Sequence, residues 1–125
     1  MSVIHGERIV EHLMTLGHIG YEEGKGTSRM AYSKVFVEGR DYVRQLMEDV
    51  GLETEIDPVG NLCGRLPGIS SKKIAMGSHI DTVPNGGMYD GALGVISAVE
   101  CIRALKEAGY QNYYTLEVIS FNEEE

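Results

Sequence analysis

Three consecutive segments in the second half of the chain constrain the fold most strongly. A short apolar run, Ile74–Gly77, is followed by a long apolar segment from Gly91 to about Gly109 and then by a β-branched and aromatic run, Tyr114–Phe121. The middle segment has the spacing of a helix, whereas the outer two have the composition of strands. A strand, a helix and a strand in this order form a right-handed crossover between parallel neighbours. The sequence therefore predicts an α/β fold with a mixed, mostly parallel sheet flanked by helices.

Two amphipathic helices are predicted in the first half of the chain. The first runs from His5 to about Gly20, with apolar residues recurring mostly every third position. The second is capped by Ser33 and turns Val37 and several later apolar residues inward. It ends at Gly51, because glycine suits the left-handed position after a helix.

The segments around these helices predict a loop and a hairpin. Residues 21–29 are polar and contain glycine, so they are predicted to form a loop. Residues 52–56 and 61–66 have the pattern of two strands. Pro58 and Gly60 lie between them and supply the geometry of a turn, so the two strands are expected to pair as a hairpin.

Charge and cysteine content exclude several classes of function. The formal net charge is −8 and the pI is about 4.9, which argues against nucleic acid or an anionic membrane as a partner. No apolar stretch approaches the roughly 20 residues that span a bilayer, and the N-terminus lacks the pattern of an export signal. A cytoplasmic location is therefore predicted. Cys63 and Cys101 lie in apolar patterns and are expected to be core thiols.

Side chains that can bind metal follow both predicted strands of the crossover. His79 and Asp81 come after the first, Asp90 lies in a glycine-bearing loop before the long helix, and Glu124 and Glu125 follow the second. Enzymes of the α/β class keep their chemistry at the carboxyl ends of strands. Hard oxygen ligands and one imidazole in these places predict a metal site.

The spacing suggests a division of labour in that site. His79 and Asp81 are two residues apart, so in strand geometry they point to the same side, where one can bind metal and the other can orient it. Asp90 could bridge two cations held roughly 3.5–4 Å apart. Glu124 and Glu125 are adjacent and face different ways, which suits one metal ligand and one proton carrier.

Each feature taken alone has an ordinary structural explanation. A histidine and an aspartate two apart most often lie at a surface or a helix cap, Gly86 and Gly87 alone form a turn, and three glutamates most often form a solvated tail. Their coincidence at the ends of apolar strands favours the metal site.

Other polar residues are given structural roles. Three histidines lie in or beside the first helix without the close spacing of a ligand pair, and they are predicted to be structural or exposed: His5, His12 and His18. Arg29 and Asn85 could contact a substrate, but ordinary loop roles are favoured for both.

The residues that carry this chemistry also carry a family resemblance. Residues 77–95 and 117–125 strongly resemble the N-carbamoyl-L-amino acid hydrolase and allantoate amidohydrolase family, within the larger group of two-metal aminoacylases and carboxypeptidases. The resemblance extends to residues 26–33 and 59–65, so it covers nearly the whole chain. It implies that residues 1–125 are the N-terminal portion of a zinc-peptidase-like catalytic domain.

The resemblance also implies a role for each candidate residue. His79 would bind one metal, Asp90 would bridge both, Glu125 would bind the second, Glu124 would be the general base, and Asp81 would support His79. The implied cofactors are two divalent metal ions, zinc first, with manganese, cobalt or nickel as alternatives. The implied reaction is hydrolysis of the ureido C–N bond of a small molecule, an N-carbamoyl-L-amino acid or allantoate. A homodimer is implied for the full-length form.

The chain also departs from the family pattern. The rest of the catalytic domain with a further histidine, a lid and dimerisation domain, and a last metal histidine are absent from this sequence. Weak metal binding, no turnover by the chain alone and self-association are therefore expected. Two alternatives stay open: a non-catalytic truncated fragment or interaction module, and a peptidase or aminoacylase of the same two-metal group.

Overall fold

A computed structural model describes residues 3–125 and contains three helices, a small two-stranded sheet and a four-stranded sheet. In chain order the elements are α1 (Gly6–His18), β1 (Tyr21–Glu22), β2 (Gly26–Thr27), α2 (Lys34–Asp49), β3 (Glu53–Ile56), β4 (Leu62–Leu66), β5 (Ser70–His79), α3 (Ala92–Glu107) and β6 (Tyr114–Phe121). Among these residues no helix is both long and apolar enough to cross a membrane.

The four-stranded sheet has the order β3-β4-β6-β5, and β5 and β6 are parallel neighbours joined through α3. This confirms the strand, helix and strand unit and the mixed sheet of an α/β fold. The proportion of parallel strand pairs in the sheet is lower than predicted, because β4 pairs antiparallel with both β3 and β6. Two of the three strand pairings in this four-stranded sheet are thus antiparallel. The reason is that the hairpin turn at residues 57–61 reverses the chain, and the segment after β4 then returns to place β5 on the far side of β6.

The core lies between the four-stranded sheet and the helices. Leu62, Leu116 and Val118 project from the sheet into a cluster with α2 and α3, while α1 packs mainly against α3. The buried apolar side chains of the helices include Leu16, Val43, Met47, Val95, Ile96 and Ile102. The sheet is thereby fixed against the helices, so the ends of its strands form a firm base for loops.

Most of the predicted helix and hairpin boundaries are confirmed. The Ser33 hydroxyl accepts a hydrogen bond from the Phe36 N–H at 3.0 Å at the start of α2, and Gly51 has a φ of +92° after its end. The predicted inward position of Val37 is wrong, since 39% of it is exposed. Cys63 is buried as predicted, whereas Cys101 is only half-buried.

Two strand predictions required correction. The predicted loop 21–29 contains the short antiparallel pair β1 and β2, whose few backbone hydrogen bonds need no apolar pattern. Strand β5 begins at Ser70 rather than at Ile74, because residues from Ser70 to Lys73 also pair with β6 across a register shift. This strand lies at the edge of the sheet and most of its side chains are exposed. Polar residues are therefore tolerated in its first half.

Candidate metal centre

The candidate residues meet at the carboxyl ends of β5 and β6 because these two strands run in the same direction. His79 is the last residue of β5 and pairs with Phe121, the last residue of β6. Asp81 follows two residues after the first strand end, and Glu124 and Glu125 follow shortly after the second. Asp90 comes from the loop that leads into α3 and completes the group.

The orientation of the His79 ring is set by Asp81. His79 Nδ1 lies 3.0 Å from the backbone oxygen of Asp81 and 3.3 Å from its carboxylate Oδ1. A carbonyl oxygen can only accept a hydrogen bond, so Nδ1 carries the proton that it donates. Nε2 is then the ring atom on the side of the other carboxylates, 3.5 Å from Asp90 Oδ2 and 3.3 Å from Glu124 Oε2.

Asp81 is a buried carboxylate that connects the two strand ends. Only 2% of it is exposed. Its Oδ2 accepts a hydrogen bond from the backbone N–H of Glu125 at 2.9 Å, whereas its Oδ1 has no hydrogen-bond partner among the described residues and faces the His79 ring. The pair His79 and Asp81 therefore points to the same side, as the spacing suggests. Asp81 is placed to hold the ring rather than to bind a ligand from solvent.

Three side chains can present ligand atoms to a single point. One atom each from His79, Glu124 and Glu125 lie within 4.8 Å of one another. Asp90 borders the same group, and its hydrogen bond, together with partial desolvation and its charge, raises the pKa of the Glu125 carboxyl. Several carboxylates gathered around one imidazole repel each other unless a cation offsets their charge. The donor set, one imidazole nitrogen and several carboxylate oxygens, fits a divalent cation such as zinc.

Gly91 is a site residue that sequence reasoning did not single out. Its φ is +69°, and a Cβ placed on it would lie 2.5 Å from the His79 ring and from the His79 carbonyl oxygen. A Cβ on Gly87, in the same loop, would meet nothing within 4 Å. Only the first of these glycines is required for the loop to close over the histidine. A glycine directly after Asp90 was the available signal, but which loop glycine touches the site depends on the fold.

A strained pair also borders the site. Tyr32 and Glu123 both have positive φ, at +66° and +53°, although neither is glycine. The Tyr32 hydroxyl donates a hydrogen bond of 2.6 Å to Glu123 Oε2, and this bond raises the pKa of Tyr32. Such backbone strain persists only where surrounding contacts enforce it, and it is common beside functional sites. No pattern in the sequence marks these two positions as neighbours.

A cavity of about 280 Å³ lies beside the candidate ligands. Its walls include the acidic residues Asp81, Glu123 and Glu125 together with Met30 and Pro84. The walls are mainly apolar with a few carboxylates among them, which is the usual composition of a small-molecule site.

The structure places the remaining candidates outside the site. Arg29 is fully buried, and its guanidinium donates hydrogen bonds to the carbonyls of Leu16, Ile19 and Ile80. Burial lowers its pKa to about 10, partly offset by the charge of Asp81. The exposed Asn85 has its backbone N–H bonded to the Ser28 hydroxyl at 2.8 Å. The structural role favoured for Arg29 is supported, and the loop role favoured for Asn85 stays a prediction.

The three other histidines also make local contacts. His5 lies 2.9 Å from Glu7, His12 lies 3.0 Å from the Tyr42 hydroxyl, and His18 lies 2.6 Å from the Met14 carbonyl oxygen. His12 is half-buried and His18 is exposed. Their predicted structural or exposed roles are confirmed.

Comparison with known proteins identifies relatives of this chain. The sequence profile of peptidase family M28 matches residues 61–125, the half that contains every candidate site residue. The chain is 36% identical to the N-carbamoyl-L-amino acid amidohydrolase of Geobacillus stearothermophilus. The match covers 98% of this chain and 31% of that protein. It is 42% identical to the allantoate amidohydrolase of Bacillus subtilis (strain 168) over 94% of its length and 29% of that protein.

A solved structure shows the same architecture. The crystal structure of a hydantoinase/carbamoylase family amidase from Burkholderia ambifaria superposes with a TM-score of 0.94 at 35% identity, covering 98% of this chain and 30% of that one. The chain therefore spans about three tenths of the length of each of these relatives.

Proposed function

The chain belongs to peptidase family M28, and on that basis we propose that it supplies the metal-binding half-site of an amidohydrolase that cleaves the ureido C–N bond of N-carbamoyl-L-amino acids or allantoate. One observation carries the proposal. The Nε2 atom of His79 is directed at carboxylates from Asp90 and Glu124, because the buried Asp81 holds the Nδ1 side of the ring. The names of the two amidohydrolase relatives support the substrate class.

Two divalent ions are proposed for the complete site. Peptidase family M28 is metal-dependent, so the use of divalent metal follows from membership. In the proposed site His79 would hold one ion, Glu125 would hold the second and Asp90 would be shared between them, with zinc preferred because the donors mix nitrogen and oxygen. When bound, the ions supply Lewis acidity that polarises the carbamoyl oxygen and makes a water molecule easier to deprotonate.

Glu124 is the proposed general base. Its Oε2 lies 3.3 Å from His79 Nε2, and 54% of its side chain is exposed, so water can reach it. The carboxylate takes a proton from the attacking water, whose oxygen forms a bond to the carbamoyl carbon. As the C–N bond breaks, the protonated Glu124 gives the proton to the leaving nitrogen.

Asp81 has a positioning role in this proposal. It keeps the proton of His79 on Nδ1, which leaves the lone pair of Nε2 for a metal ion. Its second carboxylate oxygen holds the backbone of Glu125. A single buried side chain thus sets the relative positions of two proposed ligands, His79 and Glu125, that lie far apart in the sequence.

The whole protein is proposed to be larger than residues 1–125. Residues 1–125 would form the N-terminal portion of the catalytic domain, and further ligands and a lid and dimerisation domain would come from the rest of a cytoplasmic homodimer. This agrees with the share of each relative that the chain covers. With three protein ligands for two ions, the isolated chain is expected to bind metal weakly, to lack turnover and to self-associate.

A second candidate is a peptidase or aminoacylase of the same group, favoured by the name of the matched family.

Steady-state kinetics on the purified full-length protein would compare N-carbamoyl-L-amino acids, allantoate, N-acyl amino acids and dipeptides at fixed zinc. We expect turnover of a ureido compound and a loss of at least about 100-fold in kcat for Glu124→Gln, as is usual on removing a general base. Glu53→Gln, an exposed change on β3, serves as the control. Turnover restricted to dipeptides or acyl amino acids would favour the second candidate.

A further inference from the structure

The residues that follow β6 carry the proposed general base and one proposed metal ligand, but they lie beyond the pairing of the sheet. The last residue of β6 that pairs with β5 is Phe121, and Glu124 and Glu125 come shortly after it. Within residues 3–125, none of the backbone hydrogen bonds of turns and loops involves residues 122–125. Contacts with side chains from other parts of the chain must therefore position both glutamates.

Two side chains hold this segment by its backbone. At its start, the Asn122 N–H donates a hydrogen bond of 2.8 Å to Asn61 Oδ1. At its end, the Glu125 N–H donates one of 2.9 Å to Asp81 Oδ2. Between these anchors Glu123 has a φ of +53°, which a residue other than glycine keeps only where its surroundings enforce it. The two anchors flank this strained residue and hold the turn that leads from β6 to the metal centre.

The amide of Asn61 is fixed in one orientation by Asp57. Asn61 Nδ2 donates a hydrogen bond to Asp57 Oδ2, and the Asn61 backbone N–H donates one to Asp57 Oδ1, both at 2.9 Å. An ionised carboxylate can only accept hydrogen bonds, so it selects the amino group of the amide. The carbonyl oxygen of the Asn61 amide is thereby left facing the Asn122 N–H.

Asn122 also packs against the turn between β3 and β4 through its side chain. Its Nδ2 donates a hydrogen bond to the Val59 carbonyl at 3.0 Å, and a Cβ on Gly60 would lie 2.7 Å from that nitrogen. The φ of Gly60 is +94°, so this close approach requires glycine. The turn and the start of the segment 122–125 are therefore packed together, although no proposed metal ligand lies in the turn.

We propose that Asn61 is a positioning residue of the hydrolytic centre, which acts through the backbone of Asn122 on Glu124 and Glu125. Asp57 completes the device, because it directs the Asn61 amide oxygen at that backbone. This role rests on the proposed function, in which Glu124 takes a proton from water and Glu125 binds metal. A displacement of about 1 Å in such groups costs on the order of 100-fold in rate, so a hydrogen bond outside the centre governs turnover.

Exchange of donor and acceptor between the two side chains tests the proposal. In Asp57→Asn the Asn61 amide meets the new donor only by turning its own oxygen away from Asn122, and in Asn61→Ala that oxygen is lost. The double change Asp57→Asn with Asn61→Asp again sets a donor against an acceptor and keeps an acceptor for the Asn122 N–H. On the ureido substrate at saturating zinc, we expect both single variants of the full-length protein to lose about 10–100-fold in kcat with KM little changed. The double variant should recover most of that loss.

Amide hydrogen exchange supplies a measurement that needs neither metal nor turnover. The diagnostic group is the Glu125 N–H, because it bonds Asp81 rather than Asn61. In the EDTA-treated full-length protein, we expect this N–H to exchange about tenfold faster in Asn61→Ala, the effect of weakening one hydrogen bond of ordinary strength. A purely local role of Asn61 would accelerate exchange at Asn122 alone.

Asn112→Ala is the matched control at the opposite end of β6. The Asn112 side chain likewise bonds backbone, since its Nδ2 donates to the carbonyls of Leu66, Pro67 and Tyr114. Its loss should lower the urea midpoint but leave kcat and the exchange of Glu125 unchanged. The control thereby separates positioning of the glutamates from a general loss of stability.

Three results would overturn the role of Asn61: unchanged kcat in Asn61→Ala, unchanged exchange of the Glu125 N–H in that variant, or a double variant no better than Asp57→Asn. If Asn61→Ala does not fold, the comparison of Asp57→Asn with the double variant decides. Absence of ureido turnover in the unchanged protein would instead contradict the proposed function, and the exchange of the Glu125 N–H would still show whether Asn61 positions the segment.

Discussion

Asp81 Oδ2 accepts a hydrogen bond of 2.9 Å from the backbone N–H of Glu125, so a buried side chain after β5 is fixed to the chain after β6. The other oxygen of the same carboxylate lies 3.3 Å from His79 Nδ1. One group therefore aligns an imidazole and a glutamate whose positions depend on different strands. These two contacts offset part of the desolvation cost of burying the Asp81 carboxylate.

Asp81→Asn tests this alignment. The amide has nearly the same shape and can still accept from the Glu125 N–H, but it carries no charge and one of its two terminal groups can only donate, so it cannot also keep a carboxylate oxygen 3.3 Å from His79 Nδ1. We expect zinc affinity to fall by about 10–100-fold, as is usual when the group that orients a metal-binding histidine is changed. Competition with a chromophoric chelator measures the affinity. An affinity within twofold of the unchanged protein would mean that Asp81 does not set the ligand geometry.

Gly91→Ala tests the close approach of the loop to His79. The added Cβ would overlap the ring and carbonyl at 2.5 Å, and the positive φ disfavours alanine. We expect a loss of roughly 1–3 kcal/mol in the free energy of unfolding from the backbone alone, with weaker zinc binding. Urea denaturation measures the first effect. Gly87→Ala, where a Cβ meets nothing within 4 Å, should change neither quantity, and equal effects of the two changes would contradict the assignment.

Arg29→Gln tests the structural role of the buried arginine. The change removes hydrogen bonds to the carbonyls of Leu16, Ile19 and Ile80 and leaves these acceptors buried. Each unsatisfied group costs about 1–3 kcal/mol, so the protein should lose several kcal/mol or fail to fold. Arg44→Gln, at a partly exposed position, should cost about 1 kcal/mol or less. Chemical denaturation followed by circular dichroism compares them, and a stable, substrate-binding-deficient Arg29→Gln would point to a functional role instead.

The ion pairs of Arg8 predict a pH dependence of stability. Its guanidinium bonds the buried Glu100 and the exposed Glu107, joining α1 to α3, and it lowers the pKa of Glu107. A carboxyl whose pKa is lowered by folding adds stability above its ordinary value of 4.5 and loses it as the pH falls through the folded value. We expect the urea midpoint of the unchanged protein to fall as the pH drops below about 4.5. The fall should be shallower in Arg8→Gln, and parallel curves would show that the pair is not coupled to folding.

The sequence was sufficient to predict the parts of the fold that depend on local patterns. The apolar runs that became β5 and β6, the helix between them and the cap at Ser33 are all properties of neighbouring residues. Because parallel strands end at the same edge, the meeting of His79 with the carboxylates could also be expected.

Other features could not be predicted because they depend on pairings between distant segments. The polar start of β5 forms only because β6 offers backbone partners at an exposed edge. The bond from Tyr32 to Glu123 joins residues 91 positions apart, and both adopt a backbone conformation that is unfavourable locally. The contact of Gly91 with His79 likewise exists only once the loop has folded over the strand end.

The most direct test of the central claim is anomalous diffraction at the zinc edge from crystals of the full-length protein soaked in zinc. The account predicts an anomalous peak at about 2.0–2.1 Å from His79 Nε2, with Asp90 among its ligands, and a second peak that shares Asp90 and contacts Glu125. Absence of any peak within bonding distance of His79, in crystals that bind zinc elsewhere, would contradict the metal centre.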